Sequence, residues 1–479
     1  MLVDFKENFE MKNTSTGNVS PSQQQISDLL KHYQTGRLSD AEKLAVDITQ
    51  EFPKHQFAWK VLGAVLDATG RKSEALDANQ TAVLLSPQDA SAHYNLGIML
   101  KELGRLDEAE TSYTQAIALK PDYPQAHYNL GNTFTELGRL SEAIESFSQA
   151  IVFKPDYPQA HYNLGNTFTE LGRLSEAMES FSQAIVFKPD YAEAHNNLGV
   201  TLKELGRLDE AETSYTQAIV LKPDYAEAHG NLGNILIELG KLDEAEASYN
   251  QAIALKSDYS TAKHMLAALT GKTTPTAPRD YVESLFDNYA AKFESSLVDN
   301  LEYRIPRFIA EMIIKESQSD LLGSIMDLGC GTGLFGMEIK QFCEHLEGVD
   351  LSEKMLDKAK EKNVYNKLIK QDIVTYLSNE SLNFDYFVST DVFIYIGDLS
   401  DVFRLIKSRN KTAGKLVFST EDYDGDSFFL EQSGRYSHSK KYIEGLCDKF
   451  GYQLRHFETQ DIRKNKNEYI RGGLYLLDL

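Results

Sequence analysis

The chain has 479 residues, of which 42% are apolar and 25% charged, with a net charge of −22. That length holds about two to four domains of ~100–200 residues, and the composition excludes a wholly disordered chain. The acidity weighs against a nucleic-acid partner, which needs cationic surface to neutralise phosphates, and no run of ~18 apolar residues offers a membrane-spanning helix.

Residues 1–20 are expected to be a flexible segment, because Met1 to Gln25 is polar and lacks the basic-then-apolar order of a secretory leader. Cys330, Cys343 and Cys447 have neither metal-ligand spacing nor a disulfide framework. A reducing cytoplasm is the expected compartment, and no metal is expected.

Internal repetition begins after Pro21. Asn-Leu-Gly recurs at 95–97, 129–131, 163–165, 197–199 and 231–233, always 34 residues apart. A Gly-Arg-Leu or Gly-Lys-Leu turn follows each, and Lys-Pro-Asp-Tyr closes four of the units. Each unit reads as two helices. The first, typified by Ala92 to Leu103, ends where Gly104 takes the left-handed conformation cheaply. The second, from about Asp107 to Leu119, is stopped by Pro121. Gly97, Ala109 and Ala116 are small enough to let the pair approach closely. Segments 124–157 and 158–191 differ only at Ile144 against Met178, as a recent duplication would leave them.

This pattern resembles the tetratricopeptide repeat, and seven units fit residues 21–259. Stacked helix pairs of this kind generate an extended concave surface. Asn95, Asn129, Asn163, Asn197 and Asn231 hold equivalent places on successive first helices, and an amide can both donate to and accept from a peptide backbone. The repeats look like those of the O-linked N-acetylglucosamine transferases, which implies an asparagine ladder gripping an extended protein or peptide partner. Local helix contacts are the alternative role for these amides. His93, His127, His161, His195 and His229, also one per period, read as packing positions.

Residues 260–280 read as a capping helix, Lys263 to Leu269, and a Thr- and Pro-rich inter-domain connection. From Tyr281 onward, short apolar runs alternate with helical segments. Strands are predicted at 324–329, 345–350, 366–371, 384–389, 414–420, 453–458 and 472–478, with helices at 335–342, 352–362, 374–379 and 399–410. The alternation implies a mostly parallel sheet covered on both faces. The last strands suggest an antiparallel hairpin at one edge.

The first strand runs into Asp327-Leu328-Gly329-Cys330-Gly331-Thr332-Gly333, and a helix begins at once. Glycines there permit a tight turn and let a ligand touch the backbone. The second strand ends in Asp350, placed to accept from ribose hydroxyls. Gly329, Gly331 and Gly333 do not keep the Gly-x-Gly-x-x-Gly spacing of a dinucleotide enzyme.

With acid-ended strands following it, this segment resembles motif I of the class I S-adenosylmethionine-dependent methyltransferases. The expected fold is therefore multidomain: an all-α tetratricopeptide-repeat superhelix, then an α/β Rossmann-like methyltransferase domain over 281–479 with a seven-stranded sheet. The resemblance implies S-adenosylmethionine as cofactor. It implies Asp327 for the methionyl ammonium, Gly329, Cys330, Gly331 and Gly333 in the loop, and Asp350 for the ribose. Leu351 and Met355 are implied beside the adenine, with Asp372 and Ile373 at its amino edge. A lead-in segment, Leu285 to Glu294, resembles that of small-molecule methyltransferases and implies that Tyr289 covers the cofactor. Fused to repeats, the whole resembles bacterial tetratricopeptide-repeat methyltransferases.

Methyl transfer from a sulfonium is an in-line displacement in which the protein mainly aligns the reactants. Acceptor contacts are expected after the fourth strand, from Asp391 and Tyr395. His438, in a polar loop segment, is the expected general base, and Tyr436 a pocket wall. The run Glu421 to Asp426 reads as a solvated loop. The Asx-Pro-Pro-aromatic motif of DNA amino-methyltransferases is absent. Three functions stay open: methylation of a protein read by the repeats, methylation of a small molecule or carrier-bound acyl group with the repeats as docking arm, and an inactive scaffold.

Overall fold

The computed structural model describes residues 20–290, 293–294, 302–317, 321–379, 382–465 and 468–479. The N-terminal segment to residue 19, and Ala291 and Lys292 of the lead-in, lie outside the described residues. Fourteen helices lie between Gln23 and Leu255, and a fifteenth, Ser260–Leu269, follows. The chain falls into two compact units, Met1–Gly206 and Arg207–Leu479.

The first unit is built from the 34-residue period. In the hairpin Ala90–Glu102 and Leu106–Leu119, Gly104 has φ +72°. The Arg105 N–H reaches back to the Leu100 carbonyl at 2.9 Å, closing the helix end. Gly97 is required for a different reason: a Cβ there would stand 2.7 Å from the Tyr113 ring. Ala109 and Ala116 are fully buried. Each repeat histidine turns out to be a brace. Nε2 of His127 and His161 lies 2.9 and 3.0 Å from the carbonyl of the proline six residues earlier, and the three others do the same.

The second unit opens with helices Leu208–Leu221, Ala226–Glu238, Leu242–Leu255 and Ser260–Leu269. Its sheet contains β1 (Ser324–Leu328), β2 (His345–Asp350), β3 (Lys367–Lys370), β4 (Tyr386–Ser389), β5 (Lys415–Asp422), β6 (Phe428–Leu430), β7 (Tyr436–His438), β8 (Gln453–Asn465) and β9 (Glu468–Asp478). Strands β3-β2-β1-β4-β5 run parallel in that order. β9 pairs antiparallel with β5, and β8 with β9, forming the hairpin at the edge. Alternate residues feed two cores. Met326, Phe387 and Leu416 pack on one side, and Ile325, Val388 and Val417 on the other, against helix Ile305–Glu316.

Two features depart from the sequence reading. β6 and β7 form a short extra ribbon, with β7 parallel to the end of β5. The Thr- and Pro-rich stretch after Leu269 is laid against the sheet domain: the Ala277 N–H donates to the Tyr395 carbonyl at 3.1 Å, and the Asp398 N–H to that of Pro275 at 2.7 Å. No described helix is long and apolar enough to cross a membrane.

Gly165→Ala tests the repeat packing. The new Cβ would sit 2.7 Å from the Phe181 ring, and overpacking of this kind costs about 1–3 kcal/mol. The urea midpoint of the full-length protein should fall; an unchanged midpoint would mean that the two helices separate freely.

Candidate functional site

The carboxyl ends of parallel strands converge on one side of such a sheet, and ligands bind in the crevice beyond them. Here that crevice is a cavity of about 680 Å³, within the range of small-ligand pockets. Gly329 and Gly331 from the loop after β1 line it, with Asp350 and Leu351 after β2, Asp372 and Ile373 after β3, and Asp391 and Tyr395 after β4. Tyr289 of helix Arg279–Tyr289 lines it too, with Phe286 and Phe293.

The glycines do distinct jobs. Gly329 has φ +79°, and a Cβ there would collide with Val392. Gly331 has φ +53°, and a Cβ there would meet nothing within 4 Å, so the backbone is bare where it borders the cavity. Its N–H donates to Asp350 Oδ2 at 2.8 Å, and the Ser352 N–H donates to Asp350 Oδ1 at 2.9 Å. Each carboxylate oxygen keeps a further lone pair. Asp372 has two roles. Its Oδ1 accepts from the Thr375 N–H at 2.9 Å, capping helix Ile373–Asn379, while the residue also borders the cavity.

Several expected residues lie elsewhere. Met355 is buried in helix Glu353–Lys362 and is core, not cavity wall. Cys330 is buried against β2, where a Cβ on Gly348 would stand 2.8 Å from its Sγ. Gly333, at φ +86°, starts helix Leu334–Ile339 beneath Tyr365. Asp327 is fully buried under the loop; Tyr365 donates to its Oδ2 at 2.6 Å, and Oδ1 has no hydrogen-bond partner. Burial pushes the Asp327 carboxyl up to about 7, against the Tyr365 hydrogen bond and aided by nearby Asp350.

His438 is not in a loop. It lies on β7, fully buried, with Nε2 2.9 Å from the Gly397 carbonyl and 3.0 Å from that of Ile396. Burial pulls its imidazole down to about 4, and it does not border the cavity. Tyr436, on the same strand, is likewise buried rather than cavity-lining; its hydroxyl pairs with Thr274 at 2.6 Å. Burial also raises the Tyr395 phenol, so it stays a proton donor near neutrality.

The end of the cavity beyond β4 holds a charge cluster that motif reading did not find. Arg463 of β8, 3% exposed, pairs with both Asp391 and Glu421. Burial works against its charge, but the two carboxylates outweigh that and keep it protonated. Glu421, expected in a solvated loop, is buried at the end of β5. Arg435 Nε lies 3.3 Å from Glu421 Oε1, and Arg435, like Arg463, lines the cavity. Asp391 has φ +58°, unusual for a residue other than glycine, and its N–H is held by Ser419 Oγ at 2.8 Å. Strain of this kind clusters at working sites. Arg463 takes Asp391 Oδ2, leaving Oδ1 buried without a hydrogen-bond partner. A register irregularity between Asp461 and Arg463 accompanies the arginine's burial, which no spacing rule anticipates.

Three of the ladder asparagines are already engaged. Nδ2 of Asn129, Asn163 and Asn197 each donates, at 3.1 Å, to a tyrosine hydroxyl one repeat earlier: Tyr94, Tyr128 and Tyr162. Asn163 and Asn197 donate also to Asn132 and Asn166, at 2.7 and 2.9 Å, a second amide row absent from the sequence reading. Asn95 is buried. Among the described residues, no group of three or more His, Cys, Asp or Glu could hold a metal.

Comparison with known proteins agrees with both halves. Residues 97–206 match the TPR repeat family in three overlapping segments. Residues 30–92 and 196–260 match the tetratricopeptide repeat family. Residues 321–469 match a methyltransferase domain family. An uncharacterized methyltransferase of Schizosaccharomyces pombe is 24% identical over 31% of this chain, which spans 59% of that protein's length. A ubiquinone biosynthesis O-methyltransferase of Coxiella burnetii is 28% identical over 34% of this chain and 69% of its own. The solved structure of MamA aligns with 34% of this chain and 95% of its own at 25% identity, with a TM-score of 0.33.

The Asp327 carboxyl gives a pH prediction. Between about 4, where an unfolded aspartate loses its proton, and about 7, the folded protein holds a proton that the unfolded chain has released. Stability therefore falls as pH rises through that window. Asp327→Asn, which cannot titrate, should show a smaller loss between pH 5 and 8 in urea titrations than wild type. Arg463→Leu removes the shared partner of two buried carboxylates, a loss of about 3–5 kcal/mol, and its thermal midpoint should drop accordingly.

Proposed function

We propose, from the premise that this chain joins tetratricopeptide repeats to a methyltransferase domain, that it is an S-adenosylmethionine-dependent methyltransferase acting on an oxygen of a small or carrier-bound acceptor. Its repeats dock a protein partner. The observation that carries the reading is the cavity itself, where Asp350, the bare Gly331 backbone and Asp391 face one space of about 680 Å³.

The residues fit the cofactor on their own chemistry. Asp350 is held by two backbone N–H groups and keeps lone pairs for ribose hydroxyls. Leu351 and Ile373 offer apolar edges to a planar base, and Asp372 a carboxylate beside them. Phe286, Tyr289 and Phe293 line the cavity with aromatic surface. When bound, S-adenosylmethionine supplies an electrophilic methyl on a sulfonium sulfur.

The rest falls to the chain. Asp391, fixed by Arg463 through one oxygen and bordering the cavity, is placed to orient an acceptor. Tyr395 stays protonated and donates. The relative in Coxiella burnetii, an O-methyltransferase by name, supports an oxygen acceptor. His438 takes no part in this scheme, because a buried neutral imidazole facing two carbonyls has no reach to the acceptor.

Asp350→Ala should lose charge-assisted hydrogen bonds worth about 1.5–3 kcal/mol each, so S-adenosylmethionine affinity should fall at least tenfold by calorimetry. Unchanged affinity would remove the ribose assignment. Incubating the full-length protein with methyl-labelled cofactor and cell extract should put label in the small-molecule or carrier fraction; label confined to protein side chains would favour a protein substrate instead.

A further inference from the structure

The helix that ends the repeat array is shared by two cores. On one side, Ala262 packs with Leu236, Ala245 and Tyr249 of the last hairpin. On the other, Ala267 and Ala268 pack with Leu430 and Tyr436 of the β6–β7 ribbon. One polar contact stands out between them. His264, 3% exposed, places Nε2 2.9 Å from the carbonyl oxygen of Gly434. A carbonyl can only accept, so Nε2 carries the proton and Nδ1 is bare; burial depresses the imidazole below its ordinary range, against the pull of that carbonyl.

Gly434 sits at the tip of the turn between β6 and β7. Its φ is +78°, and a Cβ there would stand 2.9 Å from Met265 Sδ and 3.0 Å from the Tyr281 hydroxyl. The turn is therefore pressed against the helix with no room for a side chain. The next residue is Arg435, which lines the cavity and faces Glu421 in the charge cluster. The β6–β7 ribbon is short, three residues a side, so its tip depends on what packs against it.

We propose that His264 is a positioning residue for the acceptor end of the cavity. The helix Ser260–Leu269 that follows the repeats holds the Gly434 turn through His264, and the turn holds the Arg435 guanidinium at Glu421. The proposal rests on the reading of that cavity end as the acceptor site. It also gives the repeats a mechanical path to the chemistry: a partner that shifts helix Ser260–Leu269 shifts Arg435.

The test uses full-length protein with His264→Ala and His264→Gln, the glutamine keeping an N–H donor of similar reach. Amide hydrogen exchange is followed by mass spectrometry, with S-adenosylhomocysteine as the probe ligand. His264→Ala should speed exchange in peptides spanning 430–437 at least tenfold, His264→Gln should restore protection, and peptides over β1 and β2 should not change. In the labelled-methyl assay, the alanine variant should lose at least fivefold in kcat with an unchanged KM for S-adenosylmethionine. Unaltered exchange at 430–437 in His264→Ala would overturn the proposal, as would equal acceleration across the whole domain or failure of glutamine to rescue. Loss of S-adenosylhomocysteine binding by the wild-type protein would instead strike the cofactor reading, because exchange reads the His264 contact without turnover.

Discussion

The far end of the cavity depends on one guanidinium. Arg463 comes from β8, the edge strand of the hairpin, yet its two carboxylate partners follow β4 and end β5. It therefore ties together strands that the backbone ladder connects only through β9. Removing charge from water costs several kcal/mol per ion unless partners compensate, and two carboxylates share the one cation. Asp391 is thereby kept in an unfavourable backbone conformation with one oxygen uncommitted. A group held so is preorganised: its orientation is set by folding.

The glycine loop works by the opposite principle, the absence of atoms. A Cβ at Gly329 would strike Val392, whereas one at Gly331 would protrude into empty space. The first glycine lets the loop fold; the second leaves its backbone open to a ligand. Asp350 then binds the loop through the Gly331 N–H, so the residue implied for the ribose also fixes the loop that borders it. This coupling is why a single carboxylate after β2 carries so much of the site.

Much of this was legible because it is periodic or local. A 34-residue period specifies helix pairs, and the small residues at 97, 109 and 116 are where the helices touch. The Asp-x-Gly-x-Gly turn and acid-ended strands are local chemistry, and Gly329, Gly331, Asp350, Leu351, Asp372, Ile373, Asp391 and Tyr395 do meet at one cavity. What escaped is long-range. Arg463 and Glu421 are polar residues whose burial is compensated by partners distant in sequence, and nothing near either announces them. His438 looked exposed because its neighbours are polar; a three-residue strand pairing with β5 buries it. The stretch after Leu269 has no apolar period, yet its backbone groups find partners on the sheet domain, an irregular contact that hydropathy does not report.

The repeats pose a different question, why near-identical units persist. Segments 124–157 and 158–191 differ at one position, and their packing is the same: Gly131 against Phe147, Gly165 against Phe181, with matching distances to within 0.1 Å. In a stack where each repeat touches only its neighbours, stability is a sum of local terms. Units can then be added or lost in the middle without disturbing either end. Within the second unit, contacts with the sheet domain come from Ser260–Leu269 and the stretch after it. The array can therefore change its length while the helix Ser260–Leu269 stays the same.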